Sequence, residues 1–218
     1  MTRLLRALFV LLIVKPISLI VLGINIRNRE RLPLKGPAIL VANHNSHLDT
    51  FVLVSLFPLS RLHHIRPVAA ADYFCRGPVM TWISKNIFGV IPIARKKETR
   101  LEGSEAEDPM QPVYDALQRG SIVIFYPEGT RGEPERLAKF KSGIAYLSKK
   151  FPEVPIVPCF LHGLGKALPK GEAILVPFFC DIFVGEPIRW NGEKERFMNS
   201  LESSFNELTS QLKLPAWD

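Results

Sequence analysis

The stretch ILVANHNSHLD at residues 39–49 begins with apolar residues that favour β-structure and then becomes polar. A second, mostly apolar run follows at residues 51–56. This pattern predicts a short buried strand, then a loop, then the start of a helix. Ser46 is a good helix N-cap, and Ser46 followed three residues later by Asp49 is typical of a capping box. The predicted strand therefore ends in a polar loop that leads directly into a helix.

His44 and Asp49 are five positions apart in this stretch. On one continuous helix, five residues turn the chain by about 500°, which would point the two side chains away from each other. They can meet if His44 lies in the loop and Asp49 lies in the first helical turn. A carboxylate that holds an imidazole fixes its tautomer and stabilises the imidazolium, as a general base requires. The alternative is that Asp49 only caps the helix and His44 is an ordinary polar loop residue.

A second polar segment, PEGTRG at residues 127–132, follows an apolar run at residues 121–126. Ligand loops in open α/β sheets follow strands in this way. Gly129 allows backbone angles that turn N–H groups toward an anion. Thr130 offers a hydroxyl, and Arg131 offers a planar fork that fits phosphate. The segment therefore predicts a phosphate-binding loop.

Three further residues belong to this hypothesis. Glu128 cannot bind phosphate, and we expect it to orient an arginine. Arg95 stands at the end of another predicted strand and could close on the same site, and Lys141 is a further candidate cation. The alternative interpretation of the loop is a strand-to-helix turn with an exposed salt bridge.

The bulk composition limits the class of protein. A chain of 218 residues is long enough for one stable domain, and its net charge of +7 suggests an anionic partner. The basic residues are scattered, without a stripe that alternates with aromatic residues, so nucleic acid is not an expected partner. Cys75, Cys159 and Cys180 are odd in number and widely spaced, which indicates buried reduced thiols and neither a disulfide framework nor a zinc site.

Residues 1–31 form the first predicted unit, a membrane-associating segment, and residues 32–218 form the second, a globular domain. Residues 7–24 are almost wholly apolar and would span roughly 27 Å as a helix. Lys15 at mid-depth would cost about 2.5–3.5 kcal/mol, and Pro16 breaks or kinks a helix. We therefore expect two short helices that enter one leaflet.

Arginines flank this apolar run on both sides. Such basic flanks are typical of a monotopic anchor that contacts anionic lipid at the cytoplasmic face of a membrane. A signal peptide is the alternative, because basic residues also precede the apolar run there, but a cleavage signal does not follow. The flanking residues are Arg3, Arg6, Arg27, Arg29 and Arg31.

Strands alternate with helices through the rest of the chain, which predicts an α/β fold with a mainly parallel central sheet flanked by helices. A charged, apolar-poor surface loop is expected at residues 96–109. Strands are predicted at residues 38–42, 65–70, 88–94, 121–126, 155–160 and 173–184. Helices are predicted at residues 47–57, 78–85, 109–119, 140–150 and 193–212.

Four blocks occur here in the order in which they occur in the glycerolipid acyltransferases. They are HNSHLD at residues 44–49, GVIPIAR at 89–95, FYPEGTR at 125–131 and VPIVP at 154–158, and FKSG at 140–143 is also similar. The chain resembles the 1-acylglycerol-3-phosphate acyltransferases over these blocks, which span roughly half of it. One block alone is weak evidence, whereas four in order are specific.

The resemblance implies a membrane-associated α/β acyltransferase, with the acyltransferase domain at residues 32–218. It implies acyl transfer from acyl-CoA or acyl-carrier protein, as co-substrate, to the hydroxyl of a lysophospholipid, without a cofactor or a metal. It assigns His44 as the base and Asp49 as its partner. The acceptor phosphate would be bound by Arg95, Glu128, Gly129, Thr130 and Arg131. Two departures from the family pattern, Ala94 and Gly132, leave the acceptor head group open.

Two other classes of protein compete with this interpretation. A metal-dependent hydrolase would use the histidines and Asp49 as ligands. A catalytically inactive lipid-binding membrane protein would keep the fold and lose turnover. The ligands of a metal site would come from His44, His47, Asp49, His63 and His64.

Overall fold

A central β-sheet organises the protein. The computed structural model describes residues 2–46, 48–74, 77–94, 108–132, 136–168 and 176–212. In this part of the chain the strands are β1 (Asn25–Arg27), β2 (Ala38–Ala42), β3 (Ile65–Ala70), β4 (Ile91–Ile93), β5 (Ile122–Phe125), β6 (Ile156–His162) and β7 (Asp181–Val184).

Helices cover both faces of the sheet. In chain order they are α1 (Thr2–Val21), α2 (Leu48–Ser55), α3 (Ala71–Phe74), α4 (Pro78–Ile83), α5 (Gln111–Gln118), α6 (Gly143–Lys150), α7 (Leu164–Ala167) and α8 (Lys194–Ser210). Short 3₁₀ turns lie at Arg29–Arg31 and Leu59–His64, and a π turn at Ser84–Phe88 continues α4.

The strand order is β1-β7-β6-β2-β5-β3-β4. The five neighbouring strands β6, β2, β5, β3 and β4 run parallel to one another. Strand β7 is antiparallel to β6, and β1 is parallel to β7. The predicted α/β fold with a mainly parallel sheet is therefore confirmed. Because the carboxyl ends of the parallel strands meet at one edge, the loops after β2 and β5 come together there.

Strand β2 lies at the centre of the sheet, between β5 and β6. Its five residues are fully buried, and Leu40 is opposite Ile124 on one side and Val157 on the other. Leu40 packs in a core with residues of α1 and α2, whereas Ile39 and Val41 pack in a second core with residues of α5, α6 and α8. Burial on both faces explains why this strand is apolar without interruption.

Helix α1 is one continuous helix, so the expectation of two short helices is wrong. The residues on either side of Lys15 and Pro16 form π turns, Val10–Val14 and Ile17–Val21. The wider π turn accommodates a proline ring that would clash with the preceding carbonyl in a regular α-helix. The predicted break at Pro16 is therefore absorbed as a local widening of the helix.

One stripe of α1 is buried against the globular domain along the whole helix. Its residues are Arg6, Val10, Val14 and Ser18, which recur every fourth position. Arg6 points inward and donates a hydrogen bond of 2.8 Å from its guanidinium to the carbonyl of Ile65. Arg6 is thus a docking contact within the protein and does not belong to the basic flank expected from the sequence.

Two other predicted elements are shorter than expected. The helix predicted from residue 140 begins at Gly143, because the N–H of Lys141 donates to the carbonyl of Pro127 and ties this segment to a loop. The strand predicted at residues 173–184 begins in residues that are not described, and from residue 176 onward it is restricted to Asp181–Val184. Pro177 lacks an N–H for sheet pairing, and the apolar side chains near it are exposed, so this apolar run does not indicate a buried strand.

Candidate active site

His44 lies in the loop between β2 and α2, and Asp49 lies in the first turn of α2. Nδ1 of His44 is 2.9 Å from Oδ2 of Asp49. Asp49 is fully buried, whereas His44 is partly exposed. Because the carboxylate holds Nδ1, Nε2 is left to accept or release a proton. The break between loop and helix thus brings the two residues together, as the sequence analysis required.

Backbone donors hold the carboxylate of Asp49. Its Oδ2 accepts the N–H of Asn45 at 2.7 Å and the N–H of Ser46 at 2.9 Å. The Ser46 hydroxyl in turn accepts the N–H of Leu48 at 3.3 Å, which caps the start of α2. Hydrogen bonds from N–H groups favour the charged form of a carboxylate. Asp49 therefore caps the helix and also contacts His44, so the two interpretations of this residue are compatible.

The loop that carries His44 is fixed at both sides. Asn43 is buried. Its side-chain Nδ2 donates a hydrogen bond of 2.9 Å to the carbonyl of Leu161, and its Oδ1 accepts the N–H of Leu161 at 2.7 Å. The carbonyl of His44 accepts the N–H of Gly132 at 2.9 Å. The loop that carries His44 is therefore attached both to β6 and to the loop that follows β5.

Glu128 is almost fully buried and contacts the backbone of His44. Its Oε1 accepts the backbone N–H of His44 at 3.3 Å. Burial raises the pKa of Glu128 to about 7, although hydrogen bonds from the backbone of His44 and Ala138 oppose this rise. The expected role of Glu128 in orienting an arginine stays a prediction. Its contact with the His44 backbone was not expected from the sequence.

Tyr126 is a residue of the site that the sequence analysis missed. Its ring stacks on the imidazole of His44, with centroids 4.1 Å apart and planes inclined by 21°. Its hydroxyl lies 2.9 Å from Oγ1 of Thr50. From the sequence, Tyr126 was predicted only as the last residue of an apolar strand. Its hydroxyl, directly before the PEGTRG segment, was the feature that could have indicated a role in the site.

A cavity of about 720 Å³ opens beside His44. Its polar part is formed by the loop after β5 and by Lys141. Its apolar part is much larger and includes Val10 and Val14 of α1, Phe51 and Val54 of α2, and Ile87 and Phe88 after α4. His44 therefore lines one cavity together with polar, cationic residues and a larger set of apolar residues.

The polar region contains Gly129, Thr130 and Arg131, as predicted from the sequence, together with Lys141. Gly129 has a φ of +72°, and a Cβ there would lie 2.6 Å from Nζ of Lys141. Only glycine can therefore take this backbone angle without strain and also leave room for the ammonium group. Lys141 can approach the loop because of this glycine, and it lines the same cavity as Arg131.

Two predicted residues, Arg95 and His47, lie outside the described residues. The rings of His63 and His64 have centroids 3.9 Å apart and planes inclined by 42°, in the turn before β3 at the sheet edge opposite to His44. They therefore cannot join His44 and Asp49 in one metal site. Within the described residues, histidine, cysteine and acidic side chains form no group of three that could hold a metal ion.

The chain is similar to known acyltransferases. A family model described as Acyltransferase matches residues 23–162. The chloroplastic 1-acyl-sn-glycerol-3-phosphate acyltransferase of Arabidopsis thaliana is 32% identical over 76% of the chain, and this match covers 43% of that protein. A corresponding enzyme of Brassica napus is 31% identical over 75% of the chain and 44% of its own length. The chain thus spans less than half the length of these plant relatives.

The fold is also similar to a solved structure. The crystal structure of the 1-acyl-sn-glycerophosphate acyltransferase PlsC from Thermotoga maritima matches with a TM-score of 0.67 and 19% sequence identity. The match covers 94% of this chain and 82% of the other. At this level of identity the likeness concerns the fold, and it extends over nearly all of the chain.

Proposed function

The chain belongs to the acyltransferase family that includes the 1-acyl-sn-glycerol-3-phosphate acyltransferases, and we propose that it acylates the free hydroxyl of a lysophospholipid. The preferred acceptor is 1-acylglycerol-3-phosphate, which gives phosphatidic acid. The donor is a thioester, either acyl-CoA or acyl-carrier protein. One observation carries the proposal: the His44–Asp49 pair adjoins a cavity lined by cationic residues and by a larger set of apolar residues.

His44 is the general base of the proposed reaction. Its Nε2 accepts the proton of the acceptor hydroxyl as the oxygen attacks the thioester carbonyl carbon. Asp49 stabilises the resulting imidazolium. When the tetrahedral intermediate collapses, the carbon–sulfur bond breaks and the leaving thiolate takes the proton from His44. Acyl transfer is direct, so an acyl-enzyme is not required.

The loop after β5 binds the acceptor phosphate in this proposal. Arg131 offers two parallel N–H bonds, Thr130 a hydroxyl, and the backbone at Gly129 an N–H. Lys141 adds a second positive charge at the same loop. We assign Arg95 to the same site because the family resemblance implies this role. The apolar region of the cavity holds an acyl chain, whose methylenes would each gain about 0.8 kcal/mol on burial.

The protein associates with one leaflet of a membrane at its cytoplasmic face in this proposal. Helix α1 has the length and apolar character of a membrane span, but so does a core helix. Its buried stripe packs on the domain along the whole helix, which favours a helix lying in the interface over one that crosses the bilayer. The opposite stripe is apolar and exposed. Arg3 in the first turn of α1 and Arg29 in the 3₁₀ turn after β1 are exposed and suited to anionic lipid.

An acyl-transfer assay tests the proposal. The full chain in mixed micelles should release thiol from acyl-CoA or acyl-carrier protein when 1-acylglycerol-3-phosphate is added. Monoacylglycerol, which lacks the phosphate, should be a much poorer acceptor. The His44→Ala variant should lose about 10²–10⁴-fold in kcat.

The matched control is His63→Ala, because His63 is exposed at the opposite edge of the sheet. It should keep full activity, and circular dichroism should show that both variants fold. Activity that survives the loss of His44, or that a chelator abolishes, would falsify the proposed mechanism.

A further inference from the structure

The imidazole of His44 is held on more than one side. Asp49 contacts the ring edge at Nδ1, whereas the ring of Tyr126 covers one face at a centroid distance of 4.1 Å. The stack is nearly parallel, with the two planes inclined by 21°. The covalent attachment at Cγ and the hydrogen bond at Nδ1 still permit small rotations about the Cβ–Cγ bond, which tilt the plane of the imidazole. The ring of Tyr126 restricts these rotations, so the two contacts together determine where Nε2 points.

Tyr126 is itself fixed at both ends. Its backbone follows directly after β5, and its hydroxyl bonds Oγ1 of Thr50 at 2.9 Å. Thr50 is the neighbour of Asp49 in the first turn of α2. The phenol therefore bridges the end of the sheet and the helix that carries the carboxylate. Burial, together with the charge of Asp49, raises the pKa of Tyr126 well above its ordinary value, so the hydroxyl stays protonated.

We propose that Tyr126, held by Thr50, is a positioning residue that orients the imidazole of His44 and stabilises its protonated form through the ring face. The inference rests on the proposed function. The face of an aromatic ring carries partial negative charge and attracts a cation placed over it. Positive charge appears on His44 when it accepts the hydroxyl proton. Asp49 thus acts on this charge from the ring edge, and Tyr126 acts on it from the ring face.

Three variants separate the parts of this unit. Tyr126→Leu removes the ring face, Tyr126→Phe keeps the ring and removes its hydroxyl, and Thr50→Val removes the hydroxyl partner. Tyr126→Leu should lower kcat about tenfold or more, the change that a cation–ring attraction of this kind supports. The other two variants should each lower kcat by less. Their combination should be no worse than either alone, because both remove the same hydrogen bond.

The pH–rate profile separates positioning from a cavity-wall role. His44 acts as a base only when it is unprotonated, so the rate rises with pH on the acid side of the profile. Loss of the ring face in Tyr126→Leu disfavours the imidazolium, and the acid limb should move to lower pH by about half to one unit. Tyr126→Phe keeps the ring and should leave this limb in place. A residue that only lined the cavity would change KM and leave the acid limb unmoved.

The decisive experiment follows the His44 ring by NMR in ¹³C-histidine-labelled full chain, with its resonance assigned by comparison with His44→Ala. The titration midpoint of His44 should fall in Tyr126→Leu and stay unchanged in the control Tyr146→Leu, since Tyr146 is exposed on α6. This readout needs no turnover, so it remains informative if the proposed reaction fails. An unchanged midpoint in folded Tyr126→Leu, or an unchanged kcat, would overturn the inference. If Tyr126→Leu does not fold, Tyr126→Phe provides the test. A His44 midpoint equal to that of wild type together with a lowered kcat in Tyr126→Phe supports the inference, and a wild-type kcat in Tyr126→Phe overturns it.

Discussion

Arg131 provides a residue-scale test of acceptor binding. The Arg131→Ala variant should raise the KM for 1-acylglycerol-3-phosphate far more than the KM for the acyl donor, because Arg131 is proposed to contact the phosphate of the acceptor and not the thioester donor. Initial rates measured against each substrate in turn provide the comparison. Monoacylglycerol should lose little further activity in the variant.

The control for this substitution is Arg196→Ala, because Arg196 is exposed on α8. It should leave both KM values unchanged. Equal damage to both KM values in Arg131→Ala would instead identify a structural arginine.

Glu128 provides a residue-scale test of stability against pH. Its pKa is raised from 4.5 to about 7 in the folded protein, so the native state keeps a proton that the unfolded state loses at lower pH. Stability therefore falls as pH rises from about 4.5 to about 7, by at most about 3 kcal/mol for this group. Glu128→Gln keeps an acceptor for the His44 N–H and should remove this loss.

Urea unfolding at pH 5 and pH 8 measures the difference. Glu128→Gln should lose less stability than wild type between these two pH values. Glu202→Gln, on the exposed side of α8, should behave like wild type. If wild type and Glu128→Gln lose the same free energy of unfolding, the carboxyl group does not bind its proton more tightly in the folded state.

Some residues of this site can be predicted from the sequence and others cannot, for a physical reason. His44, Asp49 and the loop from Gly129 to Arg131 belong to short contiguous motifs, and their local turns bring the polar groups to one edge of the sheet. Tyr126 contacts a histidine 82 positions earlier. Such a contact depends on the neighbouring positions of β2 and β5, which local sequence patterns do not determine.

At the scale of the element, Gly89 reports on how α1 docks. Gly89 has a φ of +71°, and a Cβ built there would collide with the guanidinium of Arg6. Gly120 has a φ of +72° with open space around it, so it is a matched control for the backbone angle alone. Gly120→Ala should cost about 1–2 kcal/mol for that angle. Gly89→Ala should cost more, because Arg6 must also move.

The second substitution, Arg6→Met, isolates this docking contact. In the Arg6→Met background, Gly89→Ala and Gly120→Ala should cost about the same free energy of unfolding, because methionine is flexible and can move aside. Urea titrations of the four variants give the comparison. Equal costs in the wild-type background would show that the Arg6 contact does not hold α1 in place.

The same helix shows where sequence patterns fail at this scale. An apolar run of 18 residues with a central Lys-Pro predicts a broken helix, because the prediction assumes regular α-helical bonding. The structure uses π turns on both sides of that pair. The four-residue spacing of Arg6, Val10, Val14 and Ser18 was present in the sequence. It could not be recognised as a buried stripe while the opposite face was also apolar.

At the scale of the whole molecule, the fold class follows from the alternation of strands and helices, and the strand order does not. Local patterns predict that β2 and β5 are buried, but their adjacency requires pairing between residues more than 80 positions apart. The reversed direction of β7 was also beyond local patterns, since it depends on how the chain returns after β6. Local sequence patterns therefore predict the fold class, but they do not predict the order and direction of the strands.

The exposed stripe of α1 predicts how the whole molecule meets a membrane. Leu12, Leu19 and Ile20 are 66%, 63% and 81% exposed, so replacing them with serine should leave the fold intact. Burial of a leucine in a bilayer contributes roughly 1.5–3 kcal/mol, and the triple variant should therefore bind phospholipid vesicles at least about tenfold more weakly.

Vesicle sedimentation measures this binding, and Tyr146→Ser is a control on an exposed residue of α6. Anionic lipid should strengthen binding of the intact chain, and salt should weaken that gain. Unchanged binding of the triple variant would place the membrane contact elsewhere.

Val10 and Val14 face the cavity from the same helix whose opposite side is apolar and exposed. Met80 also lines this cavity while its side chain is 44% exposed. A lipid acceptor would then reach the cavity by lateral diffusion within the leaflet, without first dissolving in water. We expect surface-dilution kinetics: at saturating vesicle binding, the rate should depend on the mole fraction of acceptor in the bilayer, and adding inert phospholipid at constant bulk acceptor concentration should slow the enzyme.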